Sequence, residues 1–118
     1  MLVAVLILAG LLASCAPIQT RAPQDRSFVT AERAFRQGHY HDAIRSYQAF
    51  LNQDSSDPRV PRALLGLSRS LYEVNDTGGA ALHLDRVVRD FPGTGEAEQA
   101  QLLLARIAVD EGNANRAL

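Results

Sequence analysis

The part of the sequence that decides the fold is LLGLSRSLYEVNDTGGAALHLDRVVRDFP, residues 64–92. Its first half places Leu64, Leu67 and Leu71 three or four residues apart, which aligns their side chains on one face of an α-helix. Asn75 and Asp76 then interrupt this spacing with residue types that favour turns and helix N-caps. The spacing resumes with Ala80, Leu84, Val87, Val88 and Phe91 and stops at Pro92-Gly93. The pattern predicts two short amphipathic helices that lie antiparallel and share their apolar faces.

The chain repeats this unit when it is shifted against itself by 37 residues. The superposed sets are Ala43, Ala80 and Ala117; Gly38, Asn75 and Gly112; Ala31, Ser68 and Ala105; and Ala34, Leu71 and Ala108. All but Leu71 are small residues or turn formers, which close helix crossings and tight turns require. Self-similarity at this period indicates a solenoid of stacked helical pairs.

The repeated positions resemble those of the tetratricopeptide repeat (TPR) family. That family places a small residue in the first helix, Gly or Asn at the turn, Ala-x3-aromatic in the second helix, and then Pro. The matching residues are Ala31, Gly38 and Ala43-x3-Tyr47 in one copy and Ser68, Asn75, Ala80-x3-Leu84 and Pro92 in the next. The usual repeat has about 34 residues, so each connection here is about three residues longer. The early Trp of the family is missing. The resemblance covers residues 27–118 and implies a non-catalytic scaffold for protein–protein interaction.

The sequence therefore predicts an all-α fold, a short TPR-like α-solenoid of about five antiparallel helices. We divide it into repeats at 27–57 and 58–92 and a half repeat at 93–118. The first helix is expected to begin at Ser27, with Ser27 or Asp25 as its cap, and the last to run from a Thr94 cap to Gly112-Asn113. Solenoids usually need about three repeats for stability. The last helix is thus expected either to cap the solenoid or to receive a missing half repeat from a partner.

The N-terminal segment has the features of a lipoprotein signal peptide at residues 1–14. Leu2 to Leu12 is apolar, and the sixteen residues before Pro17 are too few for a transmembrane helix of about 20 residues. Leu12-Ala13-Ser14-Cys15 resembles the bacterial lipobox, which predicts a lipidated Cys15 followed by a flexible tether over residues 15–26. The alternative is that Cys15, the only Cys of the chain, is a buried or leftover thiol. No Lys or Arg precedes the apolar run, so the n-region is weak or translation starts farther upstream.

This resemblance also predicts a location and a kind of partner. In similar lipoproteins Asp after the lipidated Cys favours retention in the inner membrane, so Ala16 favours the periplasmic face of the outer membrane. The partners expected are envelope proteins, with the membrane reached through the lipid anchor. With a net charge of −1, the composition gives no reason to expect nucleic acid as a partner. A small-molecule substrate is not expected either.

The polar residues do not form a recognisable catalytic or metal-binding motif. His39 and His41 flank Tyr40 at a predicted helix start, where residues two apart point to different sides. No Ser or Asp lies in a strained turn near a His, as nucleophilic catalysis would require. We therefore predict no catalytic residues, no metal and no cofactor, with an enzyme as the alternative of another class.

A partner-binding surface is better supported than a catalytic site. In TPR solenoids the first helix of each repeat lines the concave face, and the 37-residue register makes Glu32, Arg69 and Arg106 equivalent there. The predicted concave face consists of Phe28, Glu32, Phe35, Arg36, Arg62, Leu65, Arg69, Tyr72, Glu73, Leu102 and Arg106. In the alternative interpretation Phe35 and Tyr72 belong to the core and the Arg side chains only solvate a face, because a helical stripe alone does not separate groove from core.

Two envelope functions are compatible with such a scaffold. Phe91-Pro92-Gly93-Thr94 resembles the Phe-Pro-x-Ser/Thr linker of the BamD-like lipoproteins of the β-barrel assembly machine and of the TPR proteins of the Tol-Pal system. This resemblance predicts a role in outer-membrane protein assembly or envelope maintenance. BamD-like proteins have about twice as many repeats, however. The alternative is a pilotin-like TPR lipoprotein for secretion or pilus assembly.

Overall fold

The computed structural model describes residues 22–53 and 56–116, and this part of the chain contains five α-helices and no strand. The helices are α1 (Ala22–Arg36), α2 (Tyr40–Leu51), α3 (Val60–Glu73), α4 (Thr77–Asp90) and α5 (Gly95–Arg116). Each packs against the next along the chain, and α3 also contacts α1 and α5. Among these helices α2 and α4 do not touch each other, so the layer of α1, α3 and α5 lies on the inner, concave side. The predicted all-α TPR-like solenoid is confirmed.

The turns within the two helical pairs repeat one another. Gly38 and Asn75 both have positive φ, 77° and 63°, the left-handed conformation that ends helices. The N–H of His39 donates to the carbonyl of Ala34 at 2.9 Å, and the N–H of Asp76 donates to that of Leu71 at 2.9 Å. These bonds satisfy carbonyls that the helix end would otherwise leave unpaired. The 37-residue register is therefore visible in the backbone of both turns.

The core includes Leu64, Leu67, Leu71, Leu84 and Val87, which the spacing predicted, and the small residues of the repeat. Ala43 and Ala80 are 0% exposed, so each second helix approaches its neighbours with no room for a larger side chain. The largest fully buried side chains are Tyr47, Phe50, Leu64, Leu67, Leu84, Val60 and Val87. Val88, Phe91, Ile44 and Leu51 are only partly buried at its margin.

The predicted start of the first helix is wrong. The helix α1 begins at Ala22, so Asp25 and Ser27 lie inside it rather than capping it, and residues 22–26 are helix rather than tether. Pro23 is compatible with a first turn because the missing N–H would have no helical partner there. The guanidinium of Arg59 forms an ion pair with Asp25 at 2.7 Å, which ties this extra turn to the loop before α3.

The predicted end of the last helix is also wrong, although its start is confirmed. The hydroxyl of Thr94 accepts a hydrogen bond from the N–H of Ala97 at 3.1 Å, as an N-cap does. The helix α5 then continues through Gly112 and Asn113 to Arg116, because no described element packs against that end to favour a turn. Ala108, which the 37-residue register aligns with buried Ala34 and Leu71, is exposed for the same reason.

His83 on α4 is half-buried, and burial lowers the pKa of its imidazole. The predicted signal peptide, Cys15 and Ala117 lie outside the described residues. None of the helices in the described ranges is long and apolar enough to cross a membrane.

Candidate partner-binding groove

The inner surfaces of α1, α3 and α5 form a groove made of two adjoining cavities. The cavity between α1 and α3 has a volume of about 280 Å³ and is lined by Glu32, Phe35, Arg36, Tyr47, Arg62, Leu65, Gly66 and Arg69. The cavity between α3 and α5 has a volume of about 460 Å³ and is lined by Phe35, Arg69, Tyr72, Glu73, Gln99, Leu102, Leu103 and Arg106. Phe35 and Arg69 belong to both linings, so the two cavities form one continuous groove.

All but one of the side chains predicted for the concave face line this groove. They are Glu32, Phe35, Arg36, Arg62, Leu65, Arg69, Tyr72, Glu73, Leu102 and Arg106. Arg69 and Arg106, 37 residues apart, line the same cavity, as the register predicted. The alternative interpretation is partly right as well, since Phe35 and Tyr72 are half-buried and pack against the core while they line the groove.

The prediction for Phe28 is wrong, because this residue belongs to the core. It is 7% exposed, and its ring lies 5.2 Å from that of Phe50 and 6.4 Å from that of Tyr47, both on α2. Its position in the repeat is covered by the second helix of its own pair. Leu65, the equivalent residue of α3, is similarly buried at 4% exposure and contributes only to the floor of the groove.

The first half of the groove is held by a hydrogen-bonded carboxylate. Glu32 accepts a hydrogen bond from the hydroxyl of Tyr47 at 2.8 Å and forms an ion pair with Arg62 at 2.5 Å. Burial raises the pKa of Tyr47 above its ordinary value, and the hydrogen bond to Glu32 acts in the same direction. The charge of Arg62 is therefore already balanced by Glu32, whereas the sequence suggested that Arg62 would be available to a partner.

Tyr47 was missed as a groove residue because it lies on a second helix. Its side chain reaches the inner surface where Gly66 of α3 provides no Cβ. The sequence contained one signal of this close approach. Gly66 lies in the interior of a predicted helix, on the face that packs against the Ala-x3-Tyr motif.

The second half of the groove contains two polar links between α3 and α5. The guanidinium of Arg69 donates to the amide oxygen of Gln99 at 2.6 Å, and the hydroxyl of Tyr72 donates to the carboxylate of Asp110 at 2.6 Å. The second bond is the main reason that the pKa of Tyr72 is raised. Gln99 and Asp110 were not among the residues predicted for the concave face. Each lies one helical turn away from a residue that was predicted there.

The groove combines an apolar floor with charges of both signs at its walls. Phe35, Tyr72, Leu102 and Leu103 provide the apolar surface, and Leu102 is 72% exposed. Among the ion pairs of the described residues, only Arg62–Glu32 lies within the groove. Arg69 is hydrogen-bonded to neutral Gln99, and Arg106 lies beside the hydroxyl of Tyr72, so neither guanidinium is paired with a carboxylate there. Such a lining suits a polypeptide segment better than a single small anion, because a polypeptide offers both apolar side chains and hydrogen-bonding groups along its length.

Outside the groove, the described residues form no arrangement that suggests other chemistry. In the described ranges no group of three or more His, Cys, Asp or Glu side chains is positioned to hold a metal ion. His39 and His41 are exposed at the start of α2, where Asp42 pairs with Arg45 instead.

Comparison with known proteins places the chain in a family. A search of curated proteins found no match. A sequence profile of the tetratricopeptide repeat matches residues 28–95, which is more than half of the 118 residues and includes most of the first helical pair and all of the second. Repeats of this kind serve in general as non-catalytic scaffolds that bind other proteins. From the profile, the paired turns and the concave groove, we conclude that this chain belongs to the tetratricopeptide repeat family.

Proposed function

We propose that this protein works by holding an extended or helical segment of a protein partner in the groove formed by α1, α3 and α5. The observation that carries the proposal is the continuity of the two cavities, about 280 and 460 Å³, across three successive inner helices. A lining of this length fits several residues of a polypeptide. Half-buried aromatic side chains next to Arg are the composition that protein interfaces favour.

The charges of the groove favour a particular kind of segment. Because Glu32 is bonded to Tyr47 and Arg62, the first half offers apolar contact with Phe35 and the exposed guanidinium of Arg36. The second half offers the guanidinium groups of Arg69 and Arg106 beside the half-buried ring of Tyr72. The best ligand therefore carries apolar residues followed by a carboxylate or exposed carbonyl groups. A strongly acidic ligand is not expected, since Glu73 also lines the second half.

We further propose that the protein acts in the bacterial envelope as a lipid-anchored scaffold on the periplasmic face of the outer membrane. The support is in the sequence Leu12-Ala13-Ser14-Cys15 at the end of an apolar run, and in the Phe91-Pro92-Gly93-Thr94 linker. The role that fits these features is outer-membrane protein assembly or envelope maintenance. The identity of the bound partner decides between this role and that of a pilotin, whose partner would be a secretin.

The groove is tested with the double variant Arg69→Glu and Tyr72→Ala, expressed in the native envelope and crosslinked before mass spectrometry. We expect recovery of the crosslinked partner to fall about tenfold or more, since charge and apolar contact are removed together. The matched control is Arg89→Glu with Leu82→Ala, which combines the same charge reversal with the truncation of an apolar side chain on exposed positions of α4. Circular dichroism establishes that both variants are folded. A folded groove variant that recovers its partner at the wild-type level would place the binding site elsewhere.

A further inference from the structure

The last helix, α5, leaves uncovered the face that is covered in the two complete pairs. By the 37-residue register, Leu102, Ala105 and Ala108 correspond to Phe28, Ala31 and Ala34 of α1, all of which are buried. They correspond equally to Leu65, Ser68 and Leu71 of α3, which are also buried. In α5 all three positions are exposed, and Val109 beside them is 60% exposed. This surface of α5 thus has the composition of a helix–helix contact without a helix on it.

The described residues that follow this face, up to Arg116, do not fold back over it. Helices α1 and α3 end in left-handed turns at Gly38 and Asn75, after which the second helix packs back. The equivalent Gly112 is not in that conformation, and α5 continues past it to Arg116. The described residues beyond Gly112 therefore extend away from the face and leave it uncovered.

We propose that a second copy of this chain covers the face, with two α5 helices packed antiparallel about a two-fold axis at the level of Ile107. The exposed residues at equal distances on either side of Ile107 are complementary in size: Ala105 faces Val109, and Leu102 faces Gly112. Two-fold symmetry creates each of these contacts twice, because an isologous interface uses the same patch on both partners.

A shallow cavity lies where the arrangement requires one. It has a volume of about 360 Å³ and is lined by Ala108, Val109, Gly112, Asn113 and Arg116. The exposed Leu102 of the second copy is brought to this position by the antiparallel pairing. A Cβ built on Gly112 would have no atom within 4 Å, so the space beside Gly112 is open to the incoming side chain. Small residues at Ala105 and Ala108 allow the two helix axes to approach closely.

The charges at the two ends of the face have the same symmetry. Glu98 and Arg116 lie at equal distances from Ile107, both exposed, and about 27 Å apart at 1.5 Å per residue. An antiparallel pair brings Glu98 of each copy to Arg116 of the other, whereas a parallel pair would bring like charges together. Since one helix face is small compared with the roughly 800 Å² per partner of a standard interface, we expect a reversible dimer.

The dimer is tested by sedimentation velocity on the full chain in a density-matched mild detergent, over about 1 μM to 1 mM, the range in which an interface of this size dissociates. We expect a concentration-dependent monomer–dimer equilibrium that Val109→Glu abolishes. The matched control is Leu82→Glu, an equally exposed apolar residue on α4, which should leave the equilibrium unchanged. Association through the apolar N-terminal run would be the same in all three proteins. A Val109→Glu variant that still dimerises like the wild type would overturn the proposal.

The symmetry itself is tested by charge reversal at low salt. Glu98→Arg and Arg116→Glu, each alone, should weaken the dimer about tenfold, since two attractive pairs become repulsive. An equimolar mixture of the two variants restores both attractive pairs, and we expect it to dimerise as the wild type does. Restoration upon mixing is not explained by damage to either fold. Open-ended oligomers, or weakening that mixing does not reverse, would show a head-to-tail contact or a different protein as the occupant and would refute the two-fold pair.

Discussion

Gly66 lies directly against the ring of Tyr47: a Cβ built on Gly66 would be 2.3 Å from the Cζ atom of Tyr47. The two residues belong to different repeats, and their contact allows the Tyr47 hydroxyl to reach Glu32. We predict that Gly66→Ala destabilises the fold by about 1–3 kcal/mol through overpacking, although Ala is the better helix former by about 1 kcal/mol. Urea unfolding monitored by circular dichroism measures the difference.

The matched control for this substitution is Gly78→Ala on α4. No atom lies within 4 Å of a Cβ there, and the backbone conformation suits an L-residue. This variant should gain up to about 1 kcal/mol, because only the cost of a helical glycine is removed. If both variants shift the midpoint in the same direction, the close approach of Tyr47 to Gly66 is not the cause.

Ala80 marks the crossing of α3 and α4 and is completely buried. We expect Ala80→Leu to cost about 1–3 kcal/mol, since the added carbons have no space at this contact. The neighbouring Ala81 is only half-buried, so Ala81→Leu should change the free energy of unfolding far less. An unchanged melting temperature for Ala80→Leu would contradict the pairing of these helices.

The raised pKa of Tyr47 predicts a loss of stability in alkali. In the unfolded chain the phenol loses its proton near pH 10, whereas in the fold burial and Glu32 keep it protonated. Its contribution is therefore complete below pH 10 and is lost as pH rises above that value, at up to about 1.4 kcal/mol per pH unit. Tyr47→Phe should flatten this dependence, leaving a smaller part from Tyr72, whose pKa is raised as well. Equal slopes above pH 10 in wild type and variant would refute the assignment.

Lipidation at Cys15 is tested by Cys15→Ala in the native envelope. We expect the variant to accumulate as the uncleaved precursor, because cleavage before this position depends on the modified thiol. Immunoblotting and palmitate labelling report the size and the acylation of the product. Membrane-bound protein of mature size from the variant would disprove the lipobox interpretation.

The turns and the core positions were predictable because local chemistry fixes them. Gly38, Asn75 and the Thr94 cap act within a few residues of themselves, and the spacing of Leu64, Leu67 and Leu71 defines a buried face whichever helix covers it. The register of 37 residues then brought the correct inner helices together. These features need no knowledge of distant contacts.

The features that were missed depend on contacts between distant parts of the chain. The early start of α1 relies on Arg59, which pairs with Asp25 and Asp57 and lies over the rings of Phe28 and Phe50. No local signal at residues 22–26 indicates that contact. Phe28 resembles a groove residue by helical spacing alone, and only the packing of α2 places it in the core.

The polar links across the groove give it a mechanical property. Glu32–Arg62 spans α1 and α3, while Arg69–Gln99 and Tyr72–Asp110 span α3 and α5, so the groove side chains also hold the inner helices at their spacing. A ligand that accepts hydrogen bonds from Arg69 and Tyr72 competes with Gln99 and Asp110 for the same donors. Occupancy of the groove and curvature of the solenoid are then coupled, and by thermodynamic reciprocity any force that bends the solenoid changes the affinity for the ligand.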